Sequence, residues 1–138
     1  MNPITRDVFL NSISTVKKYL KSLDLFKDHR WDVIGKDPML LGAYERYTSL
    51  LLQSTLDLAD ASISYIKLRK PTSYAESFEI LKEHQIISKE LQEKLRELAK
   101  LRNAMTHDYE YLKLESLEAI RTKRYHDIEE FLAIAEKL

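Results

Sequence analysis

Arg102, His107 and Tyr109 stand close together in the run LRNAMTHDYEY, and their side chains divide a set of chemical tasks. Histidine titrates near neutral pH and moves protons. Arginine carries a permanent charge in a planar fork that fits two phosphate oxygens. Asn103 and His107 are four apart, so a helix sets them side by side, and the amide could fix the orientation of the imidazole. Arg102 and His107 are five apart, about 140° round an ideal helix. They converge on one small pocket only if the helix bends or ends near Met105, or if a second copy of the helix meets it across a two-fold axis. That geometry argues for a homodimer, with apolar residues such as Leu101 and Met105 in its interface.

With eight Arg and four His in the chain, Arg-x-x-x-x-His alone arises by chance in roughly one such sequence in four. Requiring one of the eight tyrosines two residues later lowers that to about one in a hundred. The competing structural reading is an Arg and a His placed near a helix C-terminus, where the helix dipole favours both. His29, His84 and His126 have no comparable company and read as surface residues.

The elements that must position this motif are helices. Two Gly and three Pro in 138 residues are too few for an all-β domain. Phe9, Ile13, Val16, Leu20 and Leu23 recur at helical spacing and predict a first helix from about Thr5 to Phe26. The next dozen residues, KDHRWDVIGKDP, read as a connection, with Pro38 suited to the first turn of the succeeding helix. From Met39 to Lys70 the chain is apolar round most of its circumference, which predicts the central buried helix, ended by Pro71. Its polar exceptions, Arg46, Ser49, Gln53, Asp57, Asp60 and Ser64, fall on one face. Ser73 with Glu76 forms a capping-box pattern for a short helix to about His84. Ser88 caps the next, whose stripe is Leu91, Leu95, Leu98 and Met105. A last helix runs from about Leu114 to Leu138.

These elements predict an all-α, up-and-down bundle of about five helices in a single domain spanning residues 1–138. On ideal helices Arg102 and Arg124 fall in the middle of apolar stripes, with Arg121 at the edge of one. A guanidinium in an apolar seam needs compensation. For Arg121 and Arg124 three arrangements satisfy that need: snorkelling to water, pairing with Asp57 or Asp60, or binding a phosphate.

Twenty-two basic and 22 acidic residues give zero net charge, so nothing draws the whole chain to nucleic acid or an anionic membrane. The absence of cysteine excludes disulfides, Cys-ligated zinc and thiol catalysis. No apolar run approaches bilayer length, and the N-terminus lacks the apolar core of a signal peptide, so a cytoplasmic protein is expected. Neither a cofactor nor a metal is expected.

Beyond the motif, QSTLDLAD (Gln53 to Asp60), PTSYAESFEILKEHQIIS (Pro71 to Ser88) and LRNAMTHDYEYL (Leu101 to Leu112) follow a familiar order and spacing. In these segments the chain resembles the HepT-like branch of the HEPN ribonucleases, the toxin half of HepT/MntA toxin–antitoxin pairs. The resemblance covers roughly residues 5 to 135. It implies a HEPN-like helical homodimer with a composite site at its interface. It also implies an MntA-like nucleotidyltransferase antitoxin that neutralises the toxin by attaching AMP to the motif tyrosine, Tyr109.

An RNA substrate brings its own nucleophile, the 2′-hydroxyl, so the enzyme need only position, transfer protons and stabilise charge. His107 would serve as base or acid and Arg102 would hold the phosphate. The products would be a 2′,3′-cyclic phosphate and a free 5′-hydroxyl, with no metal required and no DNA substrate expected. Asn103 is assigned to orienting His107 or the phosphate, and Asp57 or Asp60 to support from the central helix. Arg121 and Arg124, clustered with Lys123, offer an RNA-phosphate-binding edge. A second reading, mildly favoured by the neutral charge, is a non-catalytic helical subunit that holds substrate for, or regulates, a minimal nucleotidyltransferase.

Overall fold

The structure, a computed structural model, describes residues 3–107 and 113–138. Helix α1 spans Pro3–Asp24. It buries Phe9, Ile13, Val16, Leu20 and Leu23, the alternating four-and-three spacing of a single stripe. That stripe packs on α3, Pro38–Tyr65, where the Phe9 ring stacks on Tyr65 with centroids 4.2 Å apart. Between them lies α2, Trp31–Lys36, in the segment expected to be a bare connection. Two turns give too few residues for a periodicity to be counted, yet Trp31 lays its edge against Tyr44 at 5.1 Å and Ile34 is fully buried.

Helix α3 starts at a cap built from its own sequence. The Asp37 carboxylate accepts the Met39 and Leu40 amides at 2.9 and 3.3 Å, and Pro38 occupies the first turn, where no N–H is needed. Leu51, Leu52, Leu56, Leu58 and Ala59 are all fully buried. Each such leucine contributes roughly 1.5–3 kcal/mol through burial. The helix touches α1, α2 and three further helices, which is why its sequence is apolar on nearly every side.

It ends at Tyr65 rather than at Lys70. Lys67 adopts φ 61°, and its amide bonds Ser64 O while that of Leu68 bonds Ile63 O. That pair of bonds is the Schellman closure, made here without glycine. Helix α4, Tyr74–Glu83, starts at the expected Ser73 cap, whose hydroxyl accepts the Glu76 amide. It ends in a second Schellman closure at Gln85, φ 59°.

Helix α5, Lys89–His107, is capped by the Ser88 hydroxyl at the Leu91 amide. It buries Leu91, Leu95, Leu98 and Ala99 and packs on α3 and α4. The expected last helix is present but changes its winding. Helix α6, Leu114–Ala119, runs into a π-helical turn, Ile120–Arg124, and continues as α7, Tyr125–Glu136. Helix α7 packs on α1, α3 and α5, so α1, α3, α5 and α7 close a ring around the core. Among the described residues no strand occurs, and no helix is long and apolar enough to cross a membrane.

Candidate functional site

Arg102 emerges from the last two turns of α5 facing α3 and α4. Its Nε donates to the Gln53 side-chain oxygen at 2.9 Å, and its Nη1 donates to the Asn103 side-chain oxygen at 3.2 Å. The guanidinium carbon stands 6.0 Å from the centroid of the Tyr74 ring, a cation–π distance. Gln53 is itself held, because its amide nitrogen donates to Asp57 Oδ1 at 2.9 Å and to the Tyr74 hydroxyl at 3.0 Å. One glutamine on α3 therefore joins α4, α5 and the Asp57 carboxylate.

Two features of this arrangement bear on chemistry. Both oxygens that hold Arg102 belong to neutral amides, so the bonds orient the guanidinium without cancelling its charge. Neither bond uses Nη2. An arginine fixed in this way and half-buried suits a phosphate better than a freely rotating side chain would, since less rotamer entropy remains to be lost.

Asn103 is exposed and its carbonyl oxygen serves Arg102, its neighbour, rather than the imidazole four residues on. His107 is the last residue of α5 and is exposed. The helix runs unbroken through Met105 to His107, so a bend does not bring Arg102 and His107 together within one chain. Tyr109 lies outside the described residues. Asp57 is exposed and reaches Arg102 only through Gln53. Asp60 turns to α4, where the Ser77 hydroxyl donates to it at 2.6 Å. Burial raises the Asp60 carboxyl above the usual range; the Ser77 bond opposes that rise and the Asp57 charge adds to it.

The two arginines of the last helix have protein partners other than those expected. Arg124 pairs with Asp127, three residues ahead, at 2.7 Å, not with Asp57 or Asp60. Arg121 donates from Nη1 to the carbonyls of Phe26 and His29, both at 2.8 Å, and lies 5.5 Å from the Trp31 ring centroid. It ties the turn after α1 to the π-helical segment. Both residues of the expected phosphate-binding edge thus have protein partners, Arg124 a carboxylate and Arg121 two main-chain carbonyls.

Gln53 and Tyr74 are the site residues that spacing alone does not mark. Gln53 stands in the polar row of the central helix and Tyr74 follows the Ser73 cap, and both fall in segments that carry the family resemblance, but none of these places marks a contact with Arg102. Among the described residues, no group of three or more His, Asp or Glu is placed to hold a metal ion.

Comparison with known proteins bears on this arrangement. The family model described as Ribonuclease HepT-like matches residues 10–134. The mRNA nuclease HepT of Shewanella oneidensis is 24% identical over 134 residues, covering 93% of this chain and 96% of that protein. The fold matches a tri-AMPylated Shewanella oneidensis HEPN toxin, solved in complex with an MNT antitoxin, with a TM-score of 0.84 and 24% identity over 100% of both chains. It also matches YutE of Bacillus subtilis, a cytosolic protein of unknown function, with a TM-score of 0.80 and 17% identity over 96% of this chain and 88% of that one.

Proposed function

Because this chain belongs to the Ribonuclease HepT-like family, we propose that it is an endoribonuclease toxin whose catalytic groups are Arg102 and His107. The observation that carries the reading is the state of Arg102: a guanidinium held by two neutral amide oxygens, five residues before a histidine at the end of the same helix.

The reaction is built from these groups. The 2′-hydroxyl of the substrate attacks the adjacent phosphorus, and the bond to the 5′-oxygen of the next nucleotide breaks. An imidazole takes the 2′-hydroxyl proton and another returns a proton to the leaving 5′-oxygen. Arg102 meets the negative charge that builds on the phosphoryl oxygens. The products are a 2′,3′-cyclic phosphate and a 5′-hydroxyl, and no step calls for a metal. Two imidazoles and a convergent arginine require two copies of α5, so the working unit is a homodimer. The dyad reading is supported by α5 continuing as helix through Met105 to His107, where a single-chain site would need it to bend or end.

The partner is an MntA-like nucleotidyltransferase that transfers AMP to Tyr109. An adenylate two residues beyond His107 adds a bulky anion where the RNA phosphate must sit, and competes with it for Arg102. The S. oneidensis toxin, AMPylated and bound to its MNT antitoxin, supports this control by analogy.

The test is to incubate unmodified protein with total cellular RNA in excess EDTA, beside a His107→Ala control. Cleavage by the wild type alone, leaving cyclic-phosphate ends, is the expected result. A 3′-hydroxyl product or a strict metal requirement would overturn the mechanism. No cleavage at all would favour a binding subunit of the nucleotidyltransferase.

A further inference from the structure

Arg96, Lys100, Asn103 and His107 are spaced four, three and four apart on α5 and all four are exposed, so they form one polar stripe along a single face of the helix. At about 1.5 Å per residue the stripe is about 16 Å long. Its upper half borders a groove of about 260 Å³ between α5 and the start of α4, lined by Tyr74, Ala75, Arg96, Ala99, Lys100 and Asn103. Tyr74 and Asn103 are the two residues that also contact Arg102, so the groove and the candidate site share a wall. The small side chains of Ala75 and Ala99 leave room on the apolar side, and the Tyr74 ring offers a stacking surface.

From this placement we infer that the α4–α5 groove receives a nucleotide flanking the scissile phosphate, with Arg96 and Lys100 binding its phosphate as the single strand runs along α5 toward His107. The inference rests on the ribonuclease reading and adds the path of the strand to it. Among the described residues Lys100 pairs with Glu97, at 3.2 Å in an exposed pair, an interaction weak enough for a phosphate to displace. With Arg121 and Arg124 committed to the fold, this stripe supplies the local positive charge that a neutral chain needs for RNA.

The experiment measures binding of a labelled, mixed-sequence single-stranded oligoribonucleotide to the His107→Ala protein, over a range of salt. Adding Arg96→Ala/Lys100→Ala should weaken binding about tenfold at low salt and reduce the salt slope by about 1.4, for two lost single-strand phosphate contacts. The control pair Lys21→Ala/Lys36→Ala removes the same charge from exposed positions on other helices and should leave the slope unchanged. Alanine is a strong helix former, so the α5 substitutions keep the fold, which matched circular dichroism would verify. Equal effects of the two pairs, or none from either, would overturn the strand path while RNA cleavage by the wild type left the ribonuclease reading standing. Displacement of the RNA by free AMP at equal occupancy would make the groove a mononucleotide pocket and overturn the path as well. An unmodified wild type that neither binds nor cuts RNA would remove the ribonuclease reading, and the groove assignment with it.

Discussion

The Tyr44 hydroxyl on α3 donates to the Leu117 carbonyl on α6, the acceptor that in a regular α-helix serves the amide of Arg121, four residues on. A side chain inserted into the ladder is a recognised cause of local rewinding, and the π-helical turn Ile120–Arg124 begins at this point. The bulge carries the cluster of three basic residues and turns Arg121 back onto the carbonyls of Phe26 and His29.

Burial of Tyr44 pushes its phenol up to about 12, against a reference of 10.0. The unfolded chain therefore gives up this proton first as pH rises. Stability from Tyr44 is complete below about pH 10 and is lost progressively as pH climbs toward 12. Two pH units correspond to up to roughly 3 kcal/mol. Urea denaturation across that range should show the decline, and Tyr44→Phe should remove this share of it. A Tyr44→Phe protein with the same alkaline loss as wild type would show that other tyrosines carry the effect.

Gln53 orients Arg102 without neutralising it, and substitutions separate those two roles. Gln53→Leu removes a hydrogen bond to a charged group, worth about 1.5–3 kcal/mol of stability, and should lower the melting temperature by several degrees and RNA cleavage, at a temperature where both proteins stay folded, by more than about tenfold. Gln53→Glu keeps an acceptor at 2.9 Å from Nε but pairs the guanidinium with a carboxylate, and should also depress kcat. If Gln53→Glu retained wild-type cleavage, the uncompensated charge on Arg102 would not matter to the reaction.

How much of this is legible in the sequence differs by element. The single stripe of α1, the all-round apolarity of α3 and the Ser73 and Ser88 caps can all be read locally, because periodicity and capping are properties of near neighbours. The end of α3 cannot, because Pro71 is the first breaker the sequence offers, while Lys67 closes the helix earlier in a conformation usually left to glycine. The partners of Arg121 are hidden for a different reason. A uniform 100° wheel cannot anticipate a π turn, and the side chain bonded to the carbonyl just before it is Tyr44, far away in sequence. At the site, type and spacing single out Arg102 and His107. They do not single out Gln53, because a contact 49 residues distant leaves no local mark.

The Schellman closure at Lys67 suggests a stabilising change. A non-glycine residue at φ 61° carries a left-handed penalty of roughly 1–2 kcal/mol, partly offset by the greater entropy glycine loses on folding. Lys67→Gly should raise stability by about 0.5–1 kcal/mol, visible as a higher urea midpoint at unchanged slope. Lys67 is exposed and forms no part of the proposed site, so RNA cleavage should be unaffected. A lower midpoint would mean that the lysine side chain contributes more than its backbone strain removes.

The proposed control by AMP makes its own prediction at Tyr109. The hydroxyl is the atom the nucleotidyltransferase must modify, whereas proton transfer and phosphate binding are assigned to His107 and Arg102. Tyr109→Phe should therefore retain much of the RNA cleavage and growth inhibition of the wild type while ignoring co-expressed nucleotidyltransferase. Mass spectrometry of the co-expressed wild type should show added adenylate mass on the peptide containing residue 109, and the same peptide from Tyr109→Phe should show none. Two results would count against the model. Full neutralisation of Tyr109→Phe by the partner would place control in binding rather than in modification. Loss of cleavage in Tyr109→Phe would instead make the tyrosine part of the catalytic machinery, and AMP would then act by removing a working group rather than by competing for Arg102.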